Sequence, residues 1–171
     1  MKSILKSVAV LCCMATLAVL AACTKGSNST GEKPVYKYLH YADARFTVPD
    51  RAFPGDSELE AFVEFVKTLP ANAWLHFHCQ AGAGRTTQYM IFYDMMRNPG
   101  LPLKDIAYRQ CLLGGNYLLY DGSTPGEDPV KAELCAEKAQ MIALIYDYTQ
   151  DNHAKGYQTK WGQWKRQFSD K

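Results

Sequence analysis

Cys79 and Arg85 bracket five residues, two of them glycine, in the run His78-Cys79-Gln80-Ala81-Gly82-Ala83-Gly84-Arg85-Thr86-Thr87. Before it lies an apolar stretch, Ala73-Trp74-Leu75-His76-Phe77, and after it an apolar, helix-like stretch from Gln88 to Met96. The run therefore falls at a strand-to-helix turn. Glycine lets the backbone curl until successive N–H groups face one point. The following helix adds its own free N–H groups and the positive end of its dipole. Together Gln80, Ala81, Gly82, Ala83, Gly84, Arg85 and Thr86 make a cradle suited to a tetrahedral dianion. The planar guanidinium of Arg85 adds a fork for two more oxygens.

The same field acts on Cys79. A free thiol titrates near ~8.5, and helix N-termini with nearby cations lower that value. Cys79 is then a thiolate at neutral pH, a nucleophile placed beneath the bound anion. Thr86, just inside the helix, can donate its hydroxyl to the sulfur. A lone cysteine is more often a small buried hydrophobe. The surrounding glycines and arginine argue for the nucleophile instead.

His-Cys-x5-Arg-Thr resembles the signature loop of the cysteine-dependent phosphatases. The wider sequence is similar to the bacterial protein-tyrosine-phosphatase-like inositol phosphatases, the cysteine phytases. That likeness is carried by Ala73 to Cys79 with the loop, by Leu103-Lys104-Asp105-Ile106-Ala107-Tyr108-Arg109-Gln110 with Gly114-Gly115, and by Gly156-Tyr157-Gln158-Thr159-Lys160-Trp161. It runs from about Tyr38 to the end. The loop specifies the chemistry, and the flanking segments specify the phytase-like branch.

The resemblance implies a mechanism. Cys79 attacks phosphorus, Arg85 and the loop amides hold the equatorial oxygens, and an aspartate on a preceding loop protonates the leaving oxygen. In that branch the acid loop resembles Asp-His-x-Trp-Pro. Asp50-Arg51-Ala52-Phe53-Pro54 stands at the matching place, so Asp50 is the expected acid. Asp43 and Asp56 are weaker candidates, and an aspartate near proline also serves simply as a turn former. Arg51 replaces the family's histidine and could hold a neighbouring phosphate. Phe53 replaces its tryptophan as an apolar plug. Lys104, Arg109 and Lys160 are further candidates for outer phosphates. His76 and His78 alternate with Leu75, Phe77 and Cys79 and so share one strand face. His78 is expected to support the cradle through the backbone. Neither metal nor cofactor is implied.

The N-terminus reads as a targeting segment. Lys2 and Lys6 precede an uncharged apolar run, Val8 to Ala22, too short to span a membrane comfortably. Leu20-Ala21-Ala22-Cys23 resembles a bacterial lipobox, making residues 1–22 a signal peptide and Cys23 the lipidated residue. A tether rich in glycine and serine covers 23–35, and one domain covers 36–171. The expected location is the bacterial cell envelope, periplasmic or at the surface, with plain secretion as the alternative. The formal charge of +2 comes from 19 basic and 17 acidic residues. Without the targeting segment the two are equal. No basic stripe supports nucleic-acid binding, so affinity for a polyphosphate must be local. Of the cysteines in the remaining domain, Cys111 and Cys135 could pair, but their spacing gives no support.

Along the domain, Tyr36 to Val48 reads as a strand entering the acid loop. Helices follow with apolar faces from Leu59 to Leu69, from Thr86 to Arg97, from Lys104 to Leu113, from Val130 to Thr149 and from Trp161 to Phe168. Strand alternating with helix predicts an α/β fold, a parallel sheet flanked by helices. Only two clear sheet strands are visible. The resemblance implies more strands upstream, so the domain is expected to be N-terminally shortened, its sheet incomplete and its edges open to self-association. Three functions follow as expectations: hydrolysis of inositol polyphosphates, a protein-tyrosine or dual-specificity phosphatase, or an inactive lipoprotein that binds anions or partners.

Overall fold

The computed structural model describes residues 9–12, 43–71, 73–124, 126 and 128–169. Within them one parallel sheet is formed by β1 (Ala9–Cys12), β2 (Asp43–Phe46) and β3 (Phe77–His78), in the order β2-β1-β3. Ala9 pairs with Asp43 and Cys12 with Phe46 on one side of β1; Val10 pairs with Phe77 and Leu11 with His78 on the other. The helices are α1 (Asp56–Thr68), α2 (Gly84–Arg97), α3 (Leu103–Leu112), α4 (Pro129–Asn152) and α5 (Trp161–Ser169). No described helix is long and apolar enough to cross a membrane.

The α/β class is the expected one, but the strand count is not. Ala9–Cys12 adds a central strand between the two read from the sequence. It falls inside the run read as the apolar part of a signal peptide. A parallel strand paired on both sides needs no polar alternation. An uninterrupted apolar run therefore suits either role, and hydropathy does not separate them. Of the strand expected over 36–48, Asp43–Phe46 is present; residues 36–42 and the tether lie outside the described residues.

Phe46 shows which face is covered. Its ring packs on Phe62 of α1 at 5.4 Å and on Tyr89 of α2 at 5.6 Å. Both helices therefore sit on the same side of the sheet. Phe62, Tyr89 and Phe92 close the cluster, with Phe62 and Tyr89 edge to face at 4.8 Å. All three are buried, and each fully buried ring of this kind contributes roughly 1.5–3 kcal/mol. In β3 and the residues flanking it, Leu75, Phe77 and Cys79 face the core, whereas Trp74 and His76 are exposed. The period-two reading of that strand is thus what seats the sulfur beneath α2.

α5 fastens the far side. Trp161 is buried, and its indole N–H donates to Asp56 Oδ1 at 2.6 Å. Lys165 reaches the same carboxylate, and Trp164 donates to Asp151 at the end of α4. The start of α1, just after the acid loop, is held in this way.

Candidate active site

β3 ends at His78, and α2 begins at Gly84. Between them Gly82 adopts φ +69, a left-handed conformation that glycine takes at little cost. This turn lets the loop close over Cys79. The thiol is buried, which by itself would raise its pKa. Hydrogen bonds from the Thr86 hydroxyl and from the amides of Thr86, Ala81 and Gly82 outweigh burial and hold the thiol below its ordinary value. The amides therefore converge on the sulfur, as an anion cradle requires. On the opposite strand face, burial and the neighbouring His76 push the His78 pKa down, while its contact with the Cys79 backbone pushes it up. The two imidazole rings lie 5.4 Å apart.

A test follows from the thiol. Alkylation of Cys79 by iodoacetamide, read by peptide mass because Cys111 and Cys135 are also free thiols, should titrate below the ~8.5 of an ordinary cysteine. Saturating phosphate should slow it. A midpoint at or above that of glutathione in the same buffers would refute the cradle's effect on sulfur.

Arg85 is the second residue of α2 and is buried, at 7% exposure. Its Nη2 lies 3.1 Å from Asp50 Oδ1, and Nη1 donates to the Val48 carbonyl at 3.5 Å. The expected acid thus meets the expected phosphate ligand directly. The loop carrying Asp50 is pinned on both sides. Val48 is fully buried before it. After it Phe53 packs on Phe92 at 5.7 Å, and Gln88 Nε2 donates to the Ala52 carbonyl. Between these anchors Asp50 and Arg51 are exposed, and Arg51 sits at φ +61.

A shelf after α3 flanks the loop. The Gly115 amide donates to the Gln110 carbonyl, and the Asn116 amide donates to Thr87 Oγ1 at 3.2 Å. A Cβ on Gly115 would stand 2.6 Å from Thr87 Oγ1 and 2.8 Å from the Gln110 carbonyl oxygen. Backbone cannot yield cheaply there. Gly115→Ala should therefore cost about 1–3 kcal/mol of stability and lower turnover by displacing the shelf. Thermal melts and phosphate release check this; a wild-type melting temperature and rate would refute it.

Beside the shelf opens a cleft of about 650 Å³, lined among others by Arg51, Gly84, Asn116, Tyr117, Lys131 and Lys138. It adjoins the loop at Gly84 and carries three cationic side chains. Of the outer-phosphate candidates, Arg51 alone lines it. Arg109 instead pairs with the buried Asp94 of α2, which also accepts from Gln110 and Asn98. That arrangement ties α3 to α2. Lys104 lies over the Tyr108 ring at 5.7 Å, and Tyr108 stacks on Tyr117 at the cleft rim. Lys160 lines a different cavity, with Glu60, Glu64 and Tyr148. Lys131 and Lys138 were not anticipated. Their signal was present: seven residues apart on a helix is two turns, hence one face.

A protein-family model described as inositol hexakisphosphate, the PTP-like phytase model, matches residues 18–97. The AvrBs1.1 protein of Xanthomonas campestris is 33% identical over 91 residues, 53% of this chain and 86% of its own length. The tandemly repeated protein tyrosine phosphatase-like phytase of Mitsuokella multacida superposes with a TM-score of 0.67 at 40% identity, covering 87% of this chain and 27% of its own. A PTP-like phytase of Bdellovibrio bacteriovorus gives a TM-score of 0.61 at 31% identity, covering 80% of this chain and 57% of its own. This chain thus spans about a quarter of one of these solved phytases and a little over half of the other. By sequence, by fold and by the loop around Cys79, the chain belongs to the protein-tyrosine-phosphatase-like phytase family.

Proposed function

We propose that this chain hydrolyses phosphomonoesters of inositol polyphosphates through a cysteinyl-phosphate intermediate. The observation that carries the proposal is the Cys79 thiol, held below its ordinary pKa by converging amides beside a cleft bearing Arg51, Lys131 and Lys138. A second similar structure, the PTP-like myo-inositol phosphatase of Mitsuokella multacida at 39% identity, holds myo-inositol-(1,3,4,5)-tetrakisphosphate, a ligand of the same class.

The steps use this chain's own groups. The Cys79 sulfur forms a bond to phosphorus as the ester P–O bond breaks. The departing oxygen takes its proton from Asp50. Arg85 and the amides of the loop stabilise the equatorial oxygens, supplying the positive charge the transition state needs. Water then gives a proton back to Asp50 and attacks phosphorus, and the thiolate leaves. The cleft holds the remaining phosphates while one is processed.

A second reading is favoured by one feature. Tyr108 and Tyr117 stack at 5.1 Å on the rim, a surface on which the ring of a phosphotyrosine could lie. Initial rates of the full chain on inositol hexakisphosphate and on a phosphotyrosine peptide test both readings. A kcat/KM higher for the peptide would replace the first by the second. No release from either would leave an anion- or partner-binding protein.

For location we propose an envelope lipoprotein anchored at Cys23. Cleavage before Cys23 would remove β1 and leave β2 and β3 one strand apart. That vacant slot is the physical ground for proposing self-association of the lipidated form. Intact mass and sedimentation of the membrane-extracted protein decide both points. A chain retaining residues 1–22 would exclude the anchor.

A further inference from the structure

We infer that Asn116 positions the substrate: its carboxamide donates to the phosphate next to the one held by the Cys79 loop. The inference rests on the proposed inositol-polyphosphate reading and deepens it. Asn116 is fixed to the loop rather than merely near it. Its amide donates to Thr87 Oγ1, and the Thr87 hydroxyl donates to the Ala83 carbonyl at the start of α2. Gly115 keeps the approach tight, because the space for a side chain there is already filled by Thr87 and the Gln110 carbonyl.

The side chain then reaches over the last glycine of the loop. Asn116 Nδ2 lies 3.8 Å from the place a Cβ on Gly84 would occupy, at van der Waals contact. It lines the same cleft as Arg51, Lys131 and Lys138. A phosphate seated in the cradle has its neighbour on a polyol ring projecting past Gly84 into that cleft. There the Asn116 amide stands over Gly84, with Arg51 across from it beside Asp50 and Lys131 and Lys138 in the same lining. The side chain is exposed to solvent at the cleft, so a phosphate can replace water on its N–H groups. A neutral donor there holds a neighbouring phosphate without adding a further positive charge beside Arg51 and Arg85, which already share Asp50.

The experiment uses the full chain carrying Cys79→Ser, so that substrate binds without turnover, titrated by calorimetry with inositol hexakisphosphate and with inorganic phosphate. Adding Asn116→Ala should weaken inositol hexakisphosphate about tenfold, the expected loss for one hydrogen bond to a charged group, and inorganic phosphate less than threefold. Asn116→Asp, of the same shape but repelling phosphate, should weaken the hexakisphosphate further. Melting temperatures guard against misfolding. Equal losses for both ligands, or no loss with Asn116→Ala, would overturn the assignment. A parent that binds the hexakisphosphate no better than phosphate would overturn the substrate class first, and the assignment with it.

Discussion

Cys79→Ser should lower phosphate release from inositol hexakisphosphate by about ten-thousand-fold or more while leaving phosphate binding intact. The two halves of this expectation have different causes. Release depends on the covalent step, and a serine hydroxyl in the same place is not ionised at neutral pH. Single removals of a nucleophile in comparable enzymes cost factors of this size. Binding depends on the amides of Ala81, Gly82 and Thr86 and on Arg85, none of which the substitution touches. It also removes a negative charge from beneath the dianion, so inorganic phosphate should bind as well as before or better. Phosphate release by a colorimetric assay and phosphate titration by calorimetry are the two measurements. A variant retaining more than one per cent of the rate would show that sulfur is not the nucleophile. A variant that lost both rate and binding would show only that the loop had collapsed.

The site's centre was legible because its chemistry is local. Five residues between Cys79 and Arg85, with glycines among them, leave few backbone paths. One of these points three amides at the sulfur, and Gly82 at φ +69 is where the chain takes it. Asp50 was legible through its place in a loop of the right spacing, and the structure brings it to within 3.1 Å of Arg85. What lay in tertiary arrangement was not legible. Nothing near Arg109 in the sequence announces Asp94, fifteen positions away on another helix. A solvent-facing cation and a cation spent on a buried carboxylate look alike along the chain. Lys131 and Lys138 escape a sequence reading for a different reason. Their helix shows its core face in Ile142, Ile145 and Tyr148, and the lysines stand on the N-terminal stretch of that same face, seven and fourteen residues before Ile145; that stretch takes its meaning only from Gly84 and Asn116 across the cleft.

The sheet shows the same division. The alternation Leu75, Phe77, Cys79 against Trp74, His76, His78 fixed which face of β3 meets α2. The neighbour of β3 could not be deduced that way, because parallel pairing is specified by distant residues and by burial on both faces. Ala9–Cys12 is that neighbour, and it also neighbours β2, the strand that feeds the acid loop. In the uncleaved chain β1 therefore sets the separation between the strands that lead to the Asp50 loop and the Cys79 loop. Residues far from both loops in sequence set the distance across which acid and nucleophile cooperate.

Asp50→Asn should act with opposite signs on chemistry and on phosphate binding. In this structure the Asp50 carboxylate lies against the Arg85 guanidinium, the group that must turn to the substrate's oxygens. Asparagine removes the charge and the competition, so phosphate and vanadate should inhibit at lower concentration. The chemical step should slow, because an inositol oxygen leaves poorly without a proton, and loss of a general acid costs roughly 10²–10⁴ in rate. p-Nitrophenolate leaves without help, so p-nitrophenyl phosphate should lose far less. The ratio of the two losses isolates proton donation from any shift of the loop, which would slow both substrates alike. The flanking anchors make a pure charge effect realistic: Val48 is buried, and Phe53 and the Ala52 carbonyl are held by Phe92 and Gln88 whatever stands at position 50. Equal losses on both esters would move the acid elsewhere, with Asp43 and Asp56 next to examine. Asp56 is the poorer of these two, since Trp161 and Lys165 already hold its carboxylate. Unchanged phosphate inhibition would mean that the Asp50–Arg85 pair, exposed to water on the aspartate side, is too well screened to compete with a dianion.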